Sequence, residues 1–173
     1  MKTNYKEKLI NIKAFIFDVD GVLTDGSLLV SENGELLRTM NVKDGYAMKH
    51  AINKGFIIGI ITGGTNQAVK LRLKNLGTED VHLKSYDKII HFNNFRDKHN
   101  LSNEDILVMG DDLPDIPIIK AAGLGCCPQD AAPEVKSICD FVSQDFGGKG
   151  CDRDIIEQVM KIHNKWTYII ISG

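Results

Sequence analysis

Three apolar runs, Ala14–Phe17, residues 56–61 and Ile106–Met109, carry no polar side chain, and each ends abruptly at Asp18, Thr62 or Gly110. Four to six apolar residues without alternation describe a strand covered on both faces, which is the condition of a parallel sheet. Parallel neighbours need a crossover between them, and a helix is the usual one. The segments between the runs read as helices: residues 46–54 before Gly55, 66–76 before Gly77, 87–98, and 116–122 before Gly123, each glycine suiting a helix end. The expected fold class is therefore α/β, a three-layer open parallel sheet of Rossmann-like form.

Shorter signals complete the pattern. Residues 81–83, Leu124–Cys127 and Phe141–Val142 read as further strands, with helices at 132–138 and 152–164. Residues 28–40 are different, because Leu-Leu-Val, a Glu32-Asn33-Gly34 turn and a returning Leu-Leu form a β-hairpin signal. No repeat, low-complexity tract or linker divides the 173 residues, so one domain is expected over 1–173, with the hairpin at about 27–40 and a C-terminal tail at about 166–173.

Composition narrows the function classes. Twenty-one Lys and Arg against 23 Asp and Glu leave a net charge of −2, which gives no support to nucleic-acid binding. The polar N-terminus lacks a signal-peptide core and no run approaches a membrane span, so the expectation is a cytoplasmic protein without a membrane partner. The four cysteines show no C-x-x-C pair, which favours buried thiols over zinc or disulfides.

In an open α/β sheet, ligands bind outside the carboxyl ends of the strands. Three polar clusters sit at such ends here: Asp18-Val-Asp20-Gly21, Thr62-Gly63-Gly64, and Gly110-Asp111-Asp112-Leu-Pro-Asp115. Asp18, Asp20, Asp111 and Asp112 converging at one edge would repel one another unless a cation neutralises them. A hard divalent ion suits oxygen ligands, and magnesium beside carboxylates points to phosphate chemistry. Thr62 and the N–H groups of Gly63 and Gly64 are placed to hydrogen-bond phosphate oxygens. Lys84 and Lys88 both follow the strand at 81–83, and either supplies the balancing positive charge.

Asp-x-Asp-Gly-Val, Ile-Thr-Gly, a lysine and Gly-Asp-Asp-x-x-Asp, in that order, resemble the haloacid dehalogenase-like phosphohydrolase superfamily. With Asn41-Val-Lys-Asp-Gly45-Tyr and Gly147-Gly-Lys-Gly150, the likeness extends from about residue 13 to 166 and is to its small 3-deoxy-D-manno-octulosonate 8-phosphate phosphatases. The resemblance implies a magnesium-dependent phosphomonoesterase of the lipopolysaccharide precursor pathway. Asp18 would be the nucleophile, Asp20 the general acid and base, Thr62 the phosphoryl holder and Lys88 the bridging lysine. Asp18, Asp111 and the main-chain carbonyl of Asp20 would hold the metal.

For the substrate it implies Asn41, Val42, Lys43, Asp44, Gly45, Lys49, Gly63, Arg72 and Asp112, together with Asp20 and Lys88. Asp115 would anchor Lys88 or its loop. One position departs: Gly64 stands where the family carries an arginine. A phosphatase for a nine-carbon, sialic-acid-type 9-phosphate is the alternative, and a receiver-type or non-catalytic module the distant one. Only a hairpin fits between Asp20 and Asn41, so the enzyme is expected to be capless. The resemblance also implies homotetramers joined through that hairpin, with C-terminal tails reaching a neighbour's site; Lys149, in the glycine-rich turn before the last helix, would then bring a positive charge near a bound anion.

Overall fold

The computed structural model describes residues 4–167. A short helix α1 (Tyr5–Lys8) leads into β1 (Ala14–Phe17). The hairpin strands β2 (Leu29–Val30) and β3 (Leu36–Leu37) follow, then α2 (Val42–Asn53) and β4 (Ile57–Ile61). Next come α3 (Gln67–Asn75), β5 (Asp80–His82), α4 (Lys88–Lys98) and β6 (Ile106–Met109). The chain continues through α5 (Ile116–Ala121), β7 (Leu124–Cys127), α6 (Pro133–Ile138), β8 (Phe141–Val142) and α7 (Cys151–Ile162).

Six strands form one parallel sheet in the order β5-β4-β1-β6-β7-β8, as the apolar runs predict. The chain runs outward from β1 through β4 to β5, then returns to place β6 on the other side of β1. That reversal puts the carboxyl ends of β4, β1 and β6 side by side, where such folds bind ligands. Phe17 pairs in register with Ile60 on one side and Met109 on the other, so the residues following all three strands emerge at one level.

Strand alternation sorts the core into two layers. Phe15 and Phe17 pack with Met48 of α2, Leu73 of α3 and Ile155, Ile156 and Val159 of α7. Ala14 and Ile16 point the other way, with Phe92 and Phe95 of α4, Ile118 and Ile119 of α5 and Val135 of α6. Each wholly buried Phe removes enough apolar surface from water to contribute about 2–3 kcal/mol. Gly59 in β4 is part of that fit, since a Cβ there would lie 2.7 Å from the Phe95 ring.

Two local features differ from the sequence expectation. Helix α2 begins at Val42, four residues before the expected start, because Asn41 caps it by accepting from Lys43 N at 2.9 Å. Gly45 lowers the helix signal there but fits, because its missing side chain is where the Arg72 guanidinium packs. The N-terminal helix α1, capped by Asn4, had no apolar periodicity to announce it. All four cysteines are buried thiols, as expected. No helix among the described residues is long and apolar enough to cross a membrane.

Candidate active site

Asp18 leaves the end of β1 with its N–H still bonded to Met109 O of β6 at 3.2 Å. The chain then makes a wide turn over Val19–Leu23, in which Gly21 adopts φ +90°, the left-handed region that glycine enters without penalty. Space matters there as well. A Cβ on Gly21 would lie 2.0 Å from Asp111 Oδ2, so the glycine lets the carboxylate after β6 lie against the turn after β1.

The other strand ends are tied in by backbone bonds. Thr62 donates its N–H to His82 O at 3.0 Å, and its Oγ1 accepts from Gly64 N at 3.2 Å. Lys88, the first residue of α4, is buried, with Nζ 2.6 Å from Asp115 Oδ1 and 3.1 Å from Asp18 Oδ1. Asp115 Oδ2 accepts the N–H groups of Asp111 at 3.0 Å and Asp112 at 3.3 Å. Asp115 therefore anchors both the lysine and the loop. Lys88 rather than Lys84 is the lysine in the site, because Lys84 lies in a left-handed turn and lines none of the cleft.

The cleft is about 340 Å³ and is lined by Asp18, Asp20, Thr62, Gly63, Gly64, Ser85, Tyr86, Lys88, Asp111, Asp112, Pro114 and Asp115. Asp18, Asp20, Thr62 and Asp111 from the three strand-end clusters all line it. Burial, and then the Asp115 charge, push the Asp18 carboxyl up to about 6, against the pull of Lys88. Burial and the charges of Asp18, Asp115 and Asp112 push Asp111 up to about 7. Burial works against the Lys88 ammonium, but Asp18 and Asp115 outweigh it and its pKa is raised.

The residues present fit a hard divalent cation. Carboxylate oxygens of Asp18, Asp111 and Asp115 lie within 4.8 Å of one another, and Asp111 Oδ1 is buried with no hydrogen-bond partner among the described residues. Asp115 is already committed to Lys88 and two N–H groups, which leaves Asp18 and Asp111 as the carboxylates for the ion. All-oxygen donors of this kind suit Mg²⁺.

The structure does not bring the segment after the hairpin into this cleft. Asn41, Lys43 and Asp44 line a separate depression with Lys149 and Arg153, while Val42 and Lys49 face outward. Asp44 is buried and interacts with the buried Asp152 at the start of α7, whose carboxyl also meets the backbone N–H groups of Asp152 and Arg153. Burial raises both, with Asp44 adding to the rise at Asp152, which favours a proton shared between the two. Arg72 lies in a neighbouring pocket with Arg38, Met40 and Asn66. Arg38 itself carried no signal in the sequence, yet it grips Asp20 with two hydrogen bonds.

A buried carboxylate beside a lysine, a second carboxylate two residues on, a threonine beside glycine N–H groups and carboxylates that fit a cation suit a phosphoric monoester hydrolase. The haloacid dehalogenase-like hydrolase family matches residues 77–147 of this chain. Over 165 residues, 95% of the chain and 88% of the relative, it is 33% identical to the 3-deoxy-D-manno-octulosonate 8-phosphate phosphatase of Salmonella typhi. The chain thus belongs to the haloacid dehalogenase-like hydrolases and, within them, to the family of 3-deoxy-D-manno-octulosonate 8-phosphate phosphatases.

Solved structures agree. The Yersinia pestis phosphatase superposes with a TM-score of 0.91 at 27% identity, covering 95% of this chain and 93% of that one. The Moraxella catarrhalis phosphatase, solved with a magnesium ion, a phosphate ion and a 3-deoxy-D-manno-octulosonate molecule, gives 0.90 at 28% identity, covering 93% and 92%.

Proposed function

We propose that this enzyme hydrolyses 3-deoxy-D-manno-octulosonate 8-phosphate to the free sugar acid and phosphate. The observation that carries the reading is the convergence of Asp18, Asp20, Thr62, Lys88 and Asp111 on one cleft in a chain alignable with these phosphatases along almost its whole length. Asp18 attacks phosphorus, forming an aspartyl-phosphate as the P–O ester bond breaks. Asp20 gives its proton to the departing alkoxide, then takes one from the water that attacks the same phosphorus and frees Asp18. Lys88, held by Asp115, offsets charge on Asp18 and the phosphoryl oxygens, and Thr62 with Gly63 N–H orients them. Asp18, Asp111 and the Asp20 carbonyl would hold Mg²⁺, which would supply neutralisation of the phosphate charge.

Phosphate release from octulosonate 8-phosphate, nonulosonate 9-phosphates and hexose phosphates tests the substrate. Preference for a nine-carbon acid would redirect the reading to that class, and turnover of none would end it.

The reading takes residues 1–173 as one catalytic domain working as a homotetramer in the cytoplasm. Four buried thiols suit a reducing compartment. The hairpin supports assembly, because Leu29 and Val30 are 68% and 65% exposed and Leu28, Leu36 and Leu37 also face outward. Trp166 rests against His50 and Arg153 of its own chain, and the tail beyond Thr167 lies outside the described residues. Mass in solution tests the assembly. A fully active monomer would refute it.

A further inference from the structure

Asp20 is the carboxylate that must meet the leaving oxygen, and its side chain is held from outside the sheet. Arg38, just past the end of β3, donates Nε–H to Asp20 Oδ1 at 2.6 Å and Nη2–H to Asp20 Oδ2 at 2.9 Å. Two parallel bonds from a planar guanidinium fix both the position and the plane of a carboxylate, which one ammonium cannot do. The arginine is in turn fixed. Its Nη1 donates to Leu36 O at 2.9 Å, and Asn66 Nδ2 donates to the same carbonyl at 3.0 Å. Only 6% of the Arg38 side chain is exposed.

The glycine after Thr62-Gly63 lies beside this arrangement, at ordinary contact distance. A Cβ at position 64 would stand 3.5 Å from Asp20 Oδ2 and 3.6 Å from Arg38 Nη2, so a long side chain there would compete for the same space. Three of the five guanidinium N–H donors are committed inside the protein. The group is built to hold Asp20 rather than to reach for substrate.

We propose that Arg38 is a positioning residue for the acid–base Asp20, aligning it with the leaving oxygen from the hairpin. The inference rests on the phosphatase reading above and adds a residue to it. Its signature is dependence on the leaving group, because a poor alkoxide needs the proton that a nitrophenolate does not.

The test compares kcat/KM, which reports events up to release of the alcohol, for wild type and Arg38→Ala on the octulosonate 8-phosphate, simple alkyl phosphates and p-nitrophenyl phosphate. A misplaced general acid predicts a fall on the order of 10–100-fold for all alkyl esters and less than about threefold for the nitrophenyl ester. Arg38→Lys should lie between, and serves as the reading if Arg38→Ala does not fold. Added to Asp20→Asn, Arg38→Ala should cost the alkyl esters no further activity.

Equal losses across all leaving groups would overturn the proposal in favour of a structural role. A loss confined to the sugar acid would overturn it in favour of a substrate contact. Failure of the phosphatase reading looks different, since wild type itself would then release phosphate from none of these esters.

Discussion

Magnesium affinity should depend steeply on pH between 6 and 8, because the ion and protons compete for Asp18 and Asp111. The groups bind the cation only when ionised, and burial with neighbouring charges, Asp115 acting on Asp18 and Asp18, Asp115 and Asp112 acting on Asp111, pushes them up to about 6 and about 7. At pH 8 about a tenth of Asp111 is protonated, whereas at pH 6 about nine-tenths of Asp111 and half of Asp18 are. Independent titration gives an apparent Kd about 20-fold weaker at pH 6 than at pH 8, or about 1.8 kcal/mol.

Calorimetric titration of Mg²⁺ in buffers of different ionisation enthalpy would measure both quantities, with about 1.4 protons released per ion at pH 6 and about 0.1 at pH 8. The stability sign follows. Both pKa values are raised on folding, so in the metal-free protein their stabilising contribution is present below about pH 4 and lost as pH rises through about 6 and then 7. The melting temperature without metal should therefore fall over that window while the increment from Mg²⁺ grows. Affinity equal within twofold at pH 6 and pH 8 would refute the argument from burial and repulsion.

Asp18→Asn should fold and lose measurable turnover, since the amide cannot attack phosphorus, while Lys88 keeps its 2.6 Å partner Asp115. Retention of a tenth of wild-type phosphate release would remove Asp18 from the nucleophile role. Gly21→Ala should destabilise the fold by roughly 1–3 kcal/mol from the left-handed backbone and weaken Mg²⁺ binding through displaced Asp111, read by denaturation and metal titration. Asp152→Asn replaces the shared proton with a permanent amide donor to Asp44. The wild-type pair, raised on folding, contributes stability at low pH and loses it as pH rises past its raised pKa values. Chemical denaturation should thus show a flatter alkaline decline in the variant, and parallel profiles would reject the shared proton.

The sheet and the centre of the site were legible because both follow from local chemistry. Strands buried on two faces must be uniformly apolar, so where each run stops is visible, and Asp18, Thr62 and Asp111 stand at or beside those stops. The hairpin turn was legible for a similar reason, with Gly34 at φ +79° as Asn-Gly predicts. The family resemblance added the roles of those residues and the choice of Lys88.

Tertiary structure alone decided the rest. Which charge meets Asp20 depends on the hairpin folding back over the end of β1, and no period or spacing marks Arg38 for that contact. Asp44 reads as one more polar residue in a site-like segment, yet the α2 register turns it inward onto Asp152 of α7, far away in sequence. Gly21 could be seen as a turn residue, but the need for it is the Asp111 carboxylate, which another strand delivers. Periodicity records which residues leave water. It does not record which polar groups meet once they have, because that is set by crossing helices and strand order rather than by neighbours along the chain.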